Sequence, residues 1–432
     1  MNDTFEETVF EAVFDADASA SDLPEGAESA EAGNALRHAA SLSMTKVADG
    51  LIDPKLVLSW LLTTLAAPAL FVGLLVPIRE AGALLPQLWT ADRVHALRVR
   101  KWVWVGGSAV QGAAAGGIVL AGLTLQGVAA GLTICALLAV LALARSLCSV
   151  SYKDILGKTV AKTRRGTVTG LASSAASVGV VAFALALIWE PAPRLTLVIG
   201  ALVLAAAFWL LAATLFSTLS ERPSEETAEP SGNPLRHLAL LGRDAQLTRF
   251  IAVRGLLTAT ALAPPFLVLL GSGGDGGPFA QLGALVLASA VASLLSSYIW
   301  GRLADRSSRK VLLLAGCAGG AALVAAVLLH LAGLFTQTWA VASVLFVLMI
   351  AYHGVRQGRS TYLVDMAPAD QRAAYTAVSN TVIGVILLAS GAFGALASAL
   401  GAVWAVGVFA AMSLAAAAVA LGLNEVEQAE GS

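Results

Sequence analysis

Residues 301–310 read Gly301-Arg302-Leu303-Ala304-Asp305-Arg306-Ser307-Ser308-Arg309-Lys310, a charged turn between apolar runs at 279–300 and 311–334. Each run has about the 20 residues a helix needs to cross the hydrocarbon of a bilayer. The turn is therefore a polar connection between two membrane spans. A copy stands 213 residues earlier, where Thr90-Ala91-Asp92-Arg93 parallels Leu303-Ala304-Asp305-Arg306. Trp89 and Trp300 end the preceding runs, and the basic pairs Arg100-Lys101 and Arg309-Lys310 follow. Two more echoes set Asp49-Gly50-Leu51 against Arg254-Gly255-Leu256, at an interval of 205, and Ser151-Tyr152 against Thr361-Tyr362. Recurrence at so regular an interval predicts a duplicated unit.

The whole chain of 432 residues has the composition this requires. It is 57% hydrophobic and 13% charged, with a mean hydropathy of +0.79. A soluble domain holds roughly 45–50% apolar and about 25% charged residues, so the excess cannot be hidden in a water-soluble core. A cytosolic enzyme is excluded on that ground. The net charge of −1 argues against nucleic acid as a partner. Cys135, Cys148 and Cys317 are scattered in apolar runs and make neither a disulfide framework nor a thiolate metal site.

Further runs at 102–124, 128–149, 168–188, 195–216, 249–270, 339–357, 373–397 and 399–422 bring the clear spans to ten. The region 43–92 adds one span, or two if it is hinged at Ala67-Pro68. Basic residues decide. With twelve spans and both termini cytoplasmic, the inner connections hold twenty Lys and Arg residues and the outer ones only Arg194. Lys and Arg are retained on the cytoplasmic side because they resist translocation. The expected fold is an all-α integral membrane protein of twelve transmembrane helices in two six-helix bundles. Its segments are an acidic tail (1–40), a first bundle (41–216), a Glu/Pro-rich cytoplasmic linker (217–246), a second bundle (247–422) and a short tail (423–432). Residues 1–36 hold ten acidic residues and no basic one, which reads as a solvated tail rather than a signal peptide.

Six plus six spans, a long central loop and paired Asp-Arg turns resemble the major facilitator superfamily. The 301–310 stretch matches that family's loop signature, Gly-x-x-x-Asp-Arg/Lys-x-Gly-Arg/Lys-Arg/Lys, except that Ser308 replaces the second glycine. In the first copy Leu88 stands in place of glycine, and four extra residues separate Asp92-Arg93 from Arg100-Lys101. The resemblance covers about residues 41–422. It implies a gating role for Asp92, Arg93, Gly301, Asp305, Arg306, Arg309 and Lys310, with the carboxylates pairing to arginines of the adjoining bundle. It also implies that the first and seventh spans face each other across a cavity, so that Asp49 and Arg254 could form a state-dependent salt bridge. Arg145 resembles an arginine that some proton-coupled facilitators carry in the fourth span.

A charge inside the bilayer costs several kcal/mol and needs a partner, a cavity or a role. On that criterion Asp49, Asp53, Arg79, Glu80, Arg145 and Arg254 are the candidate substrate or proton residues. Glu80 lies mid-way along the second span, where desolvation would favour proton uptake and release near neutral pH. Arg79 and Glu80 diverge by roughly 100° on a helix and so face different neighbours. Asp53-Pro54-Lys55 interrupts the first span, and broken spans expose backbone groups that bind solutes or ions. A static ion pair or a simple kink would account for the same residues.

Two motif matches carry no chemistry. Gly157-Lys158-Thr159 lacks the earlier glycine of a phosphate-binding loop, since position 152 is Tyr152, and Gly271 to Gly276 lies between two membrane helices. No cofactor or metal site is expected. The function expected is a secondary transporter moving a small solute by alternating access, with protons as a candidate coupling ion. It should be a multi-pass, monomeric protein of the bacterial inner membrane, with lipid and a small molecule as its partners. A non-transporting receptor or assembly factor on the same fold is the alternative.

Overall fold

The structure, a computed structural model, describes residues 30–87, 90, 93, 94, 96–223, 238–272, 282–304, 306–368 and 371–426. The first half contains α1 (Glu31–Leu51), α2 (Val57–Thr64), α3 (Ala69–Leu84), α4 (Lys101–Thr124), α5 (Gly127–Thr159), α6 (Lys162–Trp189) and α7 (Arg194–Ser217). A single turn, α8 (Leu240–Arg243), precedes the second half. That half contains α9 (Ala245–Leu257), α10 (Ala259–Gly271), α11 (Leu282–Ala304), α12 (Ser308–Leu331), α13 (Thr338–Met366), α14 (Arg372–Ala389), α15 (Ala392–Leu400) and α16 (Ala402–Ala420). Pairing α1 with α2, α9 with α10 and α14 with α15 gives twelve spans. Ten are long and apolar enough to be recognised as such on composition alone.

The other two are the spans that were hardest to read. α3 has only sixteen residues, roughly 24 Å. The first span begins at Glu31 rather than near 43, so residues 31–40, expected in the tail, form the opening turns of α1. Those turns are polar yet packed. Glu31 pairs with Arg164 at 2.6 Å and accepts from the Ala161 N–H, and His38 meets Thr159 at 2.8 Å. A polar helix end secured against other helix ends leaves no apolar signal. The remainder of the expected acidic tail lies outside the described residues.

Proline sets the break in the first span. Pro54 has no N–H to donate, and α1 stops at Leu51 while α2 starts at Val57. The freed groups are satisfied locally. The Asp53 carboxylate accepts from Lys55 N at 2.7 Å, the Asp53 carbonyl from Val57 N at 2.9 Å, and the Pro54 carbonyl from Ser59 Oγ at 2.7 Å. Between α2 and α3, Ala66 adopts a left-handed φ of 55° and Pro68 caps α3, which makes the hinge at 67–68. α5 and α13 run on past 149 and 357, where the apolar windows close.

Each half packs on itself: α1 against α6 and α7, α4 against α5 and α7, α12 against α13 and α16. Two seams join the halves, α3 with α14 and α15, and α6 with α11. Each seam sets the second span of one half against the fifth span of the other, as an internal two-fold would. Glycine allows the close approach in both. A Cβ on Gly394 of α15 would stand 2.6 Å from the Leu70 carbonyl oxygen of α3, and one on Gly283 of α11 would stand 3.1 Å from Ile188 N of α6. These contacts lie at the ends away from the basic loops.

On the basic side, two carboxylates tie the end of each half to the loop before its third span. Glu221 accepts from Arg100 N and Lys101 N at 2.9 and 2.6 Å, at the positive N-terminus of α4. Glu425 accepts from Ser307 Oγ at 2.6 Å and pairs with Arg309 at 3.1 Å. Asp244 caps α9 through Gln246 N and Leu247 N, and Tyr375 Oη donates to it at 2.7 Å. Burial alone would raise the Asp244 carboxyl, but these hydrogen bonds outweigh it and hold the group below the usual carboxylate range. A depressed carboxyl contributes stability above its unfolded pKa, and this is lost as the medium is acidified through the folded value.

Candidate functional site

Besides these seams, α10 packs against α3 and α2. Between α1, α6, α11 and α13 lies a cavity of about 320 Å³, walled on one side by Ala176, Ser177 and Val180 and on the other by Val286, Ser289 and Ser293. It shares Lys46 and Asp49 with a second space of about 180 Å³ that extends toward Lys153, at the basic ends. It shares Tyr352 and Arg356 with a small chamber beside Glu80. The three spaces share lining residues and together extend from the break in the first span toward the basic loops.

Asp49 is the ionic centre of the first half. Its carboxylate takes Arg79 Nη2 at 2.6 Å on one oxygen and Arg145 on the other. Three spans are joined by that pairing. Arg254, expected across the cavity from Asp49, instead donates to Ser379 Oγ at 2.7 Å and Asn380 Oδ1 at 2.9 Å on α14. The expected Asp49–Arg254 bridge is therefore absent from this conformation, because each residue finds a partner within its own half. Arg79 and Glu80 do face different neighbours. Glu80 shares its chamber with Arg254, Arg356 and Arg359, so it is not the lone desolvated carboxyl that its depth suggested.

Asp53 and Lys55 line the main cavity with His353 and Arg356. Lys55 Nζ lies 3.5 Å from the ring centroid of Tyr352, and the Arg356 guanidinium lies 6.0 Å from the same ring. Both contacts are in the range of cation–π attraction. Arg356 and Arg359, at and just past the end of the apolar run 339–357, are among the twenty basic residues counted in the inner connections. The helix continues to Met366 and carries both arginines along the chamber wall. Their spacing from Tyr352, at i+4 and i+7, is one helical face, and that signal was available in the sequence.

Of the loop residues, Asp92 and Asp305 lie outside the described residues. Arg93 and Arg306 are exposed. A Cβ on Gly301 would meet nothing within 4 Å, so no close approach demands glycine there. Arg309 is committed to Glu425 and to the Leu423 carbonyl at 3.0 Å, and the backbone of Lys310 is capped by Ser307.

Two six-helix halves around a polar chamber define the architecture of a multi-pass membrane transporter. Solved structures share it. The chain is similar to a variant of the nucleoside transporter NupG, with a TM-score of 0.71 at 14% identity over 90% of this chain and 100% of that one. It is similar to a POT family transporter in complex with 5-aminolevulinic acid, with a TM-score of 0.67 at 12% identity over 94% and 99%. A bacterial homologue of the iron transporter ferroportin in its inward-facing state gives 0.64 at 17% identity over 90% and 98%. No curated protein matches the chain by sequence. The sequence model of the Major Facilitator Superfamily matches residues 259–431. That match lies within the second half, and the described bundle as a whole has the fold of the transporters above.

Proposed function

We propose that the chain is a secondary active transporter that carries a small solute across a membrane by exposing the central cavity to each side in turn. The observation that carries this is the chamber itself. It lies between the two halves, is lined by charged and polar side chains, and extends toward the basic ends, while glycine contacts bring the halves together at the far ends of the seams. Rocking about the two seams would open the far side and close the near one. The basic ends face the cytoplasm by the charge asymmetry of the loops, which sets both termini inside. Glu80 is the proposed coupling carboxylate, since a proton added there would remove the negative charge facing three arginines.

Counterflow in proteoliposomes tests the function. Solutes that raise the unfolding temperature of the purified protein should then exchange across the membrane, with uptake accelerated by solute on the far side. An imposed pH gradient should drive that uptake in the native protein and fail to do so in Glu80→Gln. Ligands that bind but never exchange would mark a receptor instead.

A further inference from the structure

The charges that line the chamber do not balance. Among the described residues, seven cations and three carboxylates line the three neighbouring spaces. Asp49 is already shared by Arg79 and Arg145, and the charge of Asp53 acts on Lys55 beside it. That leaves Glu80 to face Arg254, Arg356 and Arg359, with Lys55 also acting on its charge. Burying a cation without a counter-charge is costly in a region of low dielectric. Lys55 is only 7% exposed, with the Tyr352 ring as its close contact and Arg356 on the same ring, and it shares Asp53 and Glu80 with the neighbouring cations.

Part of the lining is apolar: Val57, Val180, Val286 and Met349 border the same cavity. A volume of about 320 Å³ is at the lower end of the range for small-molecule sites. We propose that the solute is a small organic anion, whose carboxylate or phosphate head sits between Lys55 and Arg356 beside Tyr352 while its apolar body rests on the valine and methionine wall. The head supplies the negative charge that the resident carboxylates do not, and Glu80 competes with it for the arginines of α13. This deepens the transporter reading by naming the substrate class of the same cavity.

The test is binding to the full-length protein in nanodiscs at constant ionic strength, read as thermal stabilisation and by calorimetry. The probes are benzoate and phenyl phosphate, their neutral counterparts benzamide and phenol, and sodium chloride. At least one anion should bind ten-fold or more tightly than its neutral counterpart. Arg356→Gln should abolish that preference, as should Lys55→Met if it folds, while Arg243→Gln on the exposed turn α8 should keep it. Equal binding of anion and neutral molecule would overturn the proposal, as would stabilisation reproduced by chloride alone or a preference that survives Arg356→Gln. Transport is not read in this experiment. An anion preference without exchange would sink the transporter reading and leave the site, whereas exchange of neutral solutes would do the reverse.

Discussion

Asp49 shows how much of a buried charge can be read from a residue alone. Its depth marked it as needing a partner, and Arg79 and Arg145 were marked for the same reason. Which of them meet is decided by helix rotation and crossing, neither of which a hydropathy pattern contains. The three-way pairing carries a stability prediction. Asp49 and Arg79 are 19% and 12% exposed at the side chain, whereas Arg145 is 38% exposed. Asp49→Ala leaves a nearly buried Arg79 without its counter-charge and should cost about 3 kcal/mol. Arg145→Ala removes a half-solvated partner and should cost about 1 kcal/mol or less. Unfolding midpoints of the two variants in the same micelle check the order, and a larger loss for Arg145→Ala would contradict it. Glu221 was passed over as one acid among several in the linker. Its counterpart Glu425 stands 204 residues on, close to the repeat interval, and that register was the signal that could have singled it out.

At the scale of the element, the first span repays attention. Proline beside an acidic and a basic residue announced a broken helix, and the structure breaks there because the Pro54 nitrogen cannot donate. Helix ends were less legible. The windows at 128–149 and 339–357 mark where side chains turn polar, while α5 and α13 continue because their last turns pack against other helix ends and against the chamber. The glycine seam gives the second prediction. Gly394→Leu places a side chain against the Leu70 carbonyl and the Gly73 backbone, an overpacking that costs typically 1–3 kcal/mol. Relief is available by parting α15 from α3, which opens the far end. Accessibility of the chamber to reagents from that face should therefore rise in Gly394→Leu and fall from the basic face. An unchanged pattern in a folded, monodisperse variant would show that the seam does not govern opening.

The whole molecule was legible because its evidence is repeated. Two charged turns and two basic pairs recur at intervals that agree to within a few residues, and the loops are basic on one side, so errors in any one span do not disturb the count of twelve. The chamber was legible only in part, because α13 brings Arg356 and Arg359 into it from the end of the apolar run and just beyond. Its working follows from symmetry: if the two seams are copies of one another, the halves can tilt toward either side about the same cavity. A single cysteine tests this directly. Ser293→Cys on α11 lines the chamber wall, and it can be introduced after replacing Cys135, Cys148 and Cys317. A membrane-impermeant maleimide applied to sealed right-side-out vesicles and to inside-out vesicles should modify position 293 from both faces, each at a rate that bound solute changes. Modification from the basic face alone, with or without solute, would contradict alternating access.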